Sequence, residues 1–405
     1  MHSPSGINIL LIIISIFVVL IGITYQPLPD NFPQPWKYRF LSYWAQRIEQ
    51  FGYLCEQANL FTRINLIRKL HYLSIGLYQK RYPECHLKVY DKEISGIHTR
   101  IYEPEEMISY EKKTTIIYFH GGGFAVGSIE TYDQATYLLA NLTRTIVIAV
   151  EYRLTPEHRF PSGLEDCLTV SRELFQNEDK YQINSNRIIL SGDSAGGNLA
   201  LVVSQLLIQD GYKPYLICLL YPSLQFLDFT LPSYRIYLKK NILGVLNENN
   251  IILMISSLSE NNLIIPNDVL FNTHVSSDDR KKLYSYMDPN KYLSISHELN
   301  EIKQGNESLI KSLKFLISPL MSPLLVPDED LLKLPQVLLF TTEYDILRDE
   351  GYIFASRLRS LNKSIHHHHF LNAFHGAHVF LYGPLRFEIA HEMVEHTAKI
   401  IRDYL

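Results

Sequence analysis

Ser194 stands in the stretch RIILSGDSAGGNLALVVSQLL, residues 187–207, where a strand-like apolar run meets one of helical period. Gly192 precedes it by two residues and Gly196 follows by two, a G-x-S-x-G pattern. Without Cβ atoms at those positions a strand and the next helix can pass close together, leaving the serine hydroxyl exposed on the turn between them. A glycine-rich turn with a capping serine reads much the same in isolation. Because a serine hydroxyl is a weak nucleophile, acyl chemistry needs three further parts: a base for its proton, a group that orients the base, and N–H donors for the oxyanion.

The chain offers a candidate for each part. His120-Gly121-Gly122-Gly123 follows the apolar run TIIYF, and three glycines let backbone N–H groups turn toward a bound oxygen. Together with the N–H of Ala195, Gly121, Gly122 and Gly123 are expected to form an oxyanion hole. The acid belongs at the end of a later strand, QVLLFTT, which leads into EYDILRDE at 343–350. Asp345 falls in the loop and is the expected acid, whereas Asp349 and Glu350 fall in the first turn of the next helix, where carboxylates suit the helix dipole. His375, beside Gly376 and after the run IHHHHFL, completes the order Ser, Asp, His and is the expected base. His378 is its rival, placed where the following helix should begin. The run from His366 to His369 invites a metal reading, but strand alternation sends neighbouring imidazoles to opposite faces. At most two would converge, with no acidic or thiolate partner nearby, so no metal and no cofactor is expected. The run reads as a strand, or as a pH-sensitive surface.

These residues need a frame that brings them together. TIIYF, TIVIAVEY, RIILSG, LICLLYP and QVLLFTT are short apolar runs separated by helix-length segments, the pattern of an α/β fold with a mostly parallel sheet covered on both faces. More than a hundred residues separate Pro222 from Pro335, too many for a strand connection. This interval reads as an inserted cap, with helix in IILMISSL and SLIKSLKFLI. The stretch from Arg39 to Arg81 has helical apolar spacing and reads as helices packed near a membrane or over the core. The expected organisation is an anchor at 1–24, a linker and entry region at 25–113, and a catalytic domain at 114–405 with its cap insertion at about 225–320.

Composition removes other classes. A 405-residue chain with 46% hydrophobic residues can bury a large core, and a formal charge of −4 without a Lys/Arg block leaves no footprint for nucleic acid. Cys55, Cys85, Cys167 and Cys218 show no zinc-like spacing, and their pairing is open. INILLIIISIFVVLIGI, residues 7–23, carries no charge and reads as a signal anchor, with a cleaved signal peptide or a buried helix as the alternatives. The later Lys37 and Arg39 mildly favour a cytosolic catalytic part. Sequons at Asn141, Asn306 and Asn362 point the other way, since they matter only in a lumenal or extracellular domain.

With these motifs in hand, the sequence resembles the arylacetamide deacetylase branch of the hormone-sensitive-lipase-like α/β-hydrolases. The resemblance rests on HGGGFAVGS at 120–128, EYRLTPEHRFP at 151–161, SGDSAGGNLA at 191–200, SPLLVP at 322–327, EYDILRDEG at 343–351 and FHGAH at 374–378. It implies a nucleophile Ser194, an acid Asp345, a base His375 and an oxyanion loop from Gly121 to Gly123. It also implies a type II endoplasmic-reticulum membrane protein with a lumenal catalytic domain, a glycoprotein acting on small lipophilic esters or amides. Neutral lipid or sterol esters are the competing substrates, and a non-catalytic binding relative is the rival outside the enzyme class. Tyr152, Arg153 and the segment from Pro156 to Pro161 look like braces for the loops near the site. The Asn-rich insertion departs from the family pattern and leaves the substrate pockets open.

Overall fold

The computed structural model describes residues 28–77, 87–105, 113–239, 246–259, 263, 265–293 and 305–405. The apolar run 7–23, Cys85 and residues 294–304 of the insertion lie outside them. Among the described residues eight strands, numbered β1 to β8 along the chain with their ranges given below, form one sheet in the order β1-β2-β4-β3-β5-β6-β7-β8. Six of them, β3 (Lys113–Phe119), β4 (Ile146–Val150), β5 (Ile183–Asp193), β6 (Leu216–Leu220), β7 (Gln336–Tyr344) and β8 (Ile365–Phe374), run parallel; the first five coincide with the five apolar runs and the sixth with the histidine run. Their central positions, Ile117, Leu190, Ile217 and Leu339 among them, are fully buried. That follows from helices on both faces, which leave no side of a strand for polar residues.

The sheet starts earlier than the expected boundary at 114. β1 (Leu87–Ile94) and β2 (Ile97–Pro104) form an antiparallel hairpin whose second strand pairs with β4. Ser95 and Gly96 join them with φ of 52° and 79°, the left-handed pair that a two-residue hairpin turn requires. LKVYDKEI interleaves charged and apolar residues because one of its faces meets water, so it lacks the continuous apolar signature of the inner strands.

Helices α1 (Pro35–Gln57) and α2 (Arg63–His71) precede the sheet, and α3 (Ile129–Thr143), α4 (Ser162–Gln176) and α5 (Ala195–Gln209) follow successive strands. The insertion contributes α6 (Pro232–Lys239) and α7 (Glu248–Leu258), then short helical turns at Ser277–Leu283 and Glu307–Ser312. α8 (Arg348–Ser360) and α9 (Glu388–Asp403) close the chain. Start signals are visible in sequence: Pro35 opens α1, and Ser128 with Thr131 forms a reciprocal cap at α3. α1 is fastened to the ends of β7 and β8 by aromatic packing, Phe32 on Tyr344 at 4.5 Å and Tyr38 on Phe374 at 4.9 Å. Among the described residues no helix is long and apolar enough to cross a membrane, and Cys55, Cys167 and Cys218 are buried free thiols.

Candidate active site

β5 ends at Asp193 and α5 begins at Ala195, which leaves Ser194 alone on the turn with φ 52° and ψ −120°. A non-glycine residue pays for that conformation with strain, so the surroundings must impose it. They do so through backbone contacts: Ser194 N–H donates to Leu220 O at 2.9 Å, and Ser194 O accepts from Asn198 N at 3.1 Å. A Cβ on Gly196 would strike the carbonyl of Phe119, and one on Gly192 would strike that of Gly196. Here the glycines are required by close passage of β3, β5 and α5.

The three side chains predicted from sequence lie in one line. His375 Nε2 is 2.9 Å from Ser194 Oγ, and His375 Nδ1 is 2.8 Å from Asp345 Oδ2. A carboxylate can only accept, so Nδ1 carries the proton and Nε2 presents its lone pair to the serine hydroxyl. Asp345 is fully buried and is held by Leu347 N–H at 2.9 Å and the Thr342 hydroxyl at 3.1 Å. Burial by itself would lower the His375 pKa; the Asp345 carboxylate, by charge and hydrogen bond, outweighs it and holds the imidazole above its ordinary 6.5. The rival His378 sits in the 3-10 turn Ala377–Val379, its Nδ1 against the Tyr221 hydroxyl and its Nε2 3.2 Å from that of Tyr118. Burial lowers its pKa, and it is enclosed among tyrosines away from Ser194.

The glycine loop needs one correction. Gly121 N–H donates to Asp193 Oδ1 at 2.9 Å, so it is spent within the protein. Gly122 and Gly123, with φ of 118° and 59°, carry the bend and line the cavity beside Ser194, which leaves Gly122, Gly123 and Ala195 as candidate donors. Asp193 is the residue that sequence reasoning overlooked. Besides Gly121 it accepts from the Tyr118 hydroxyl at 2.9 Å and the Tyr132 hydroxyl at 3.0 Å, pinning the loop to the turn that carries Ser194. Its position next to the nucleophile was the available signal. Tyr152 braces the same loop from behind, donating to His120 O at 2.7 Å with its ring stacked on the imidazole at 4.4 Å. Arg68 of α2 reaches the loop too, through Ala125 O at 2.7 Å, Thr155 O at 2.7 Å and both oxygens of Glu157.

Asp349 and Glu350 do lie in the first turn of α8, but they do more than meet its dipole. Asp349 accepts from Ser233 N–H at 2.7 Å, while Glu350 accepts from Leu224 N–H at 2.7 Å and the Tyr234 hydroxyl at 2.8 Å. They tie the base of the insertion to the sheet, and burial lifts Glu350 to about 7. The four consecutive histidines alternate as a strand demands. His367 and His369 both meet the Thr341 hydroxyl at 2.9 Å, and His368 packs on His396 of α9 at 3.9 Å between centroids, the rings tilted by 33°. An acidic neighbour is present after all, Glu343 at 3.0 Å from His369, brought in by the parallel register of β7. Burial holds His367 and His368 at about 4, so they stay neutral near neutral pH and do not make the surface a sensor there. Among the described residues no group of three or more His, Cys, Asp or Glu is disposed to hold a metal.

Two spaces meet at Ser194. A cavity of about 470 Å³, overwhelmingly apolar, is lined by Phe40, Trp44, Leu73, Met254, Val379 and Phe380 among others, with His71 as a polar exception whose burial lowers its pKa to about 4. A smaller one of about 50 Å³ lies between Ala195, Phe226, Phe229, Tyr234 and Ile251. Met254 of α7 belongs to both and rests over Gly123.

A family profile described as alpha/beta hydrolase fold matches residues 116–262 and 263–379. The chain is 31% identical to arylacetamide deacetylase of Bos taurus, covering 93% of this chain and 95% of that protein. It is 30% identical to neutral cholesterol ester hydrolase 1 of Rattus norvegicus, covering 90% of this chain and 91% of that one. Among solved structures, the hyperthermophilic esterase from the archaeon Pyrobaculum calidifontis aligns with a TM-score of 0.63 at 25% identity, over 87% of this chain and 97% of the esterase.

Proposed function

The chain belongs to the α/β-hydrolase fold family, and from that premise we propose that Ser194, His375 and Asp345 are its nucleophile, base and orienting acid. The chain is a serine hydrolase of carboxylic esters. One observation carries the assignment of roles: the unbroken line from Ser194 Oγ through both nitrogens of His375 to the buried Asp345 carboxylate. His375 Nε2 takes the hydroxyl proton as Oγ attacks the carbonyl, Asp345 keeps the imidazole in the required tautomer, and the oxyanion meets the N–H groups of Gly122, Gly123 and Ala195. His375 then returns the proton to the leaving alcohol, and water repeats the sequence on the acyl-enzyme. No metal or cofactor has a role in these steps.

The two unequal spaces at Ser194 favour an ester with one short arm and one bulky apolar arm. Such a substrate is compatible with lipophilic acetyl esters and with the sterol esters named for the rat relative, and aryl amides fall within reach of the same attack. Helices α1 and α2 and the insertion at about 225–320 act as the cap over this site, with the sheet from β1 onward carrying the catalytic part. The uncharged run 7–23 supports a single-pass type II anchor in the endoplasmic reticulum, with the catalytic domain lumenal. Sequons at Asn306 and Asn362 are exposed, which suits glycosylation in that compartment, whereas Asn141 lies partly buried within α3. Loss of fluorophosphonate labelling in Ser194→Ala, with turnover lower by on the order of 10⁶, is the expected result. Retained labelling would refute the nucleophile. A burst of p-nitrophenol from an ester separates the enzyme from a non-catalytic relative, a series from acetyl to long-chain acyl esters sets the short arm, and a glycosidase-sensitive shift tests the compartment.

A further inference from the structure

α1 is turned the wrong way round for a helix that faces water. At 100° per residue, Trp36, Phe40, Trp44, Phe51 and Leu54 fall within an arc of about 80°, and all five are exposed, Trp36 at 67% and Leu54 at 64%. Its buried side carries Ser42, Glu49, Gly52 and Cys55 with only one large ring, Tyr38. The outward stripe continues past the end of α1 through Leu60 and Phe61, and beyond α2 through Tyr72, Leu73 and Leu77. Eleven of the seventeen large apolar side chains exposed among the described residues lie between 36 and 77, a concentration that scattered surface apolar residues do not produce. Cations border it: Lys37 lies over Trp36 at 5.6 Å, Arg47 over Tyr43 at 5.4 Å and Arg63 over Tyr53 at 5.3 Å.

Phe40, Trp44 and Leu73 belong to this face and also line the cavity that reaches Ser194. Side chains that are half exposed on one side and wall a cavity on the other mark its opening, so the 470 Å³ space opens through the aromatic stripe. Eleven residues, 24–34, separate the uncharged run 7–23 from Pro35, which begins α1, so any bilayer holding that run lies within a short tether of this face. Rings that are apolar in body and polar at one edge, mixed with Lys and Arg, match the headgroup layer of a bilayer.

We propose that the outer face of α1 and α2 rests in the headgroup and upper acyl layer of a membrane, and that the substrate enters the Ser194 cavity from the lipid. The entry step rests on the hydrolase reading above, whereas the lipid contact does not. The chain has two tryptophans, Trp36 and Trp44, both on this face, so native emission reports on it alone. In full-length protein reconstituted into phosphatidylcholine and phosphatidylserine vesicles, the emission should shift to the blue and be lost when the lipids carry brominated acyl chains. Emission that ignores brominated lipid yet is quenched by iodide would overturn the proposal, as would failure to float with the vesicles. A blue shift that follows protein concentration instead of lipid would assign the face to a second copy of the chain and overturn it as well. For entry, the variant Trp36→Ser, Leu54→Ser, Leu60→Ser changes exposed positions that do not line the cavity. It should hydrolyse a long-chain ester dissolved in the vesicles about tenfold more slowly, with hydrolysis of p-nitrophenyl acetate unchanged. Unchanged rates on both esters would overturn entry from the lipid. If the variant misfolds, both rates collapse and the quenching of the unaltered protein decides. If the unaltered protein cleaves neither ester, the hydrolase reading fails and the quenching still decides the contact.

Discussion

The rim of the sheet around Ser194 and the outer face of α1 and α2 stand at the two ends of one cavity and are built on opposite terms. At the rim the polar groups that matter are paired: Asp345 with His375, Leu347 and Thr342, and Asp193 with Gly121, Tyr118 and Tyr132. On the outer face large apolar side chains stand toward solvent, and rings meet neighbouring rings, as in Phe40 with Trp44 at 6.1 Å and Phe51 with Phe61 at 6.3 Å, or a cation, as in Trp36 with Lys37. Charge develops at the first place during acyl transfer, and dipoles fixed in advance stabilise it without reorganising. At the second no charge develops, and apolar area is what an apolar partner would recognise. Precision is therefore concentrated where electrons move.

Substitutions that disturb only the rim should lower turnover without altering contact with lipid. Asp345→Asn should do so most, by about 10⁴ in kcat, because the amide can donate to Nδ1 and favour the wrong tautomer. Steady-state kinetics on a p-nitrophenyl ester checks this, and a loss under tenfold would remove Asp345 from its role. Next, Asp193→Asn should cost on the order of 10² in kcat with little change in KM, since it loosens the loop whose N–H groups face the oxyanion. An unchanged kcat would show that the loop is held by its neighbours instead.

The pH profile sharpens the same contrast. Only the neutral imidazole can take the Ser194 proton, so kcat/KM should fall as pH drops through the His375 pKa. Asp345 holds that pKa above 6.5, so the acid limb should begin at a higher pH than an unperturbed histidine would give. In Asp345→Asn burial dominates and the limb should move to lower pH; a limb that stays in place would mean another group titrates. The smallest effect is expected at the join between the two regions. Arg68→Ala removes the contacts of a partly exposed guanidinium to the buried Ala125 and Thr155 carbonyls and to the exposed Glu157, and should lower kcat/KM by no more than about tenfold while fluorophosphonate still labels Ser194.

The rim was the more legible region. Ser194 and Asp345 could be chosen because each follows an apolar run that reads as an inner strand, and His375 because it follows one more strand-like run, and a parallel sheet brings the ends of its strands to one edge. The hairpin of β1 and β2 escaped notice because its exposed face interrupts the apolar run. Glu343 beside His369 escaped because strand register, and not sequence distance, sets that pair. Asp193 was visible as a letter but not as a brace, since its partners Tyr118 and Tyr132 lie 75 and 61 residues away.

Local pattern by itself determined the kinds of element, the order of the three reacting side chains and the class of chemistry, because strand period, glycine turns and nucleophile chemistry are all written in near neighbours. Only the tertiary structure decided that Gly121 is spent on Asp193, that His378 is walled in by tyrosines, and that α1 carries its apolar stripe outward. Those outcomes depend on which distant residues meet and on how little room they leave one another, and neither quantity is carried by residues adjacent in the chain.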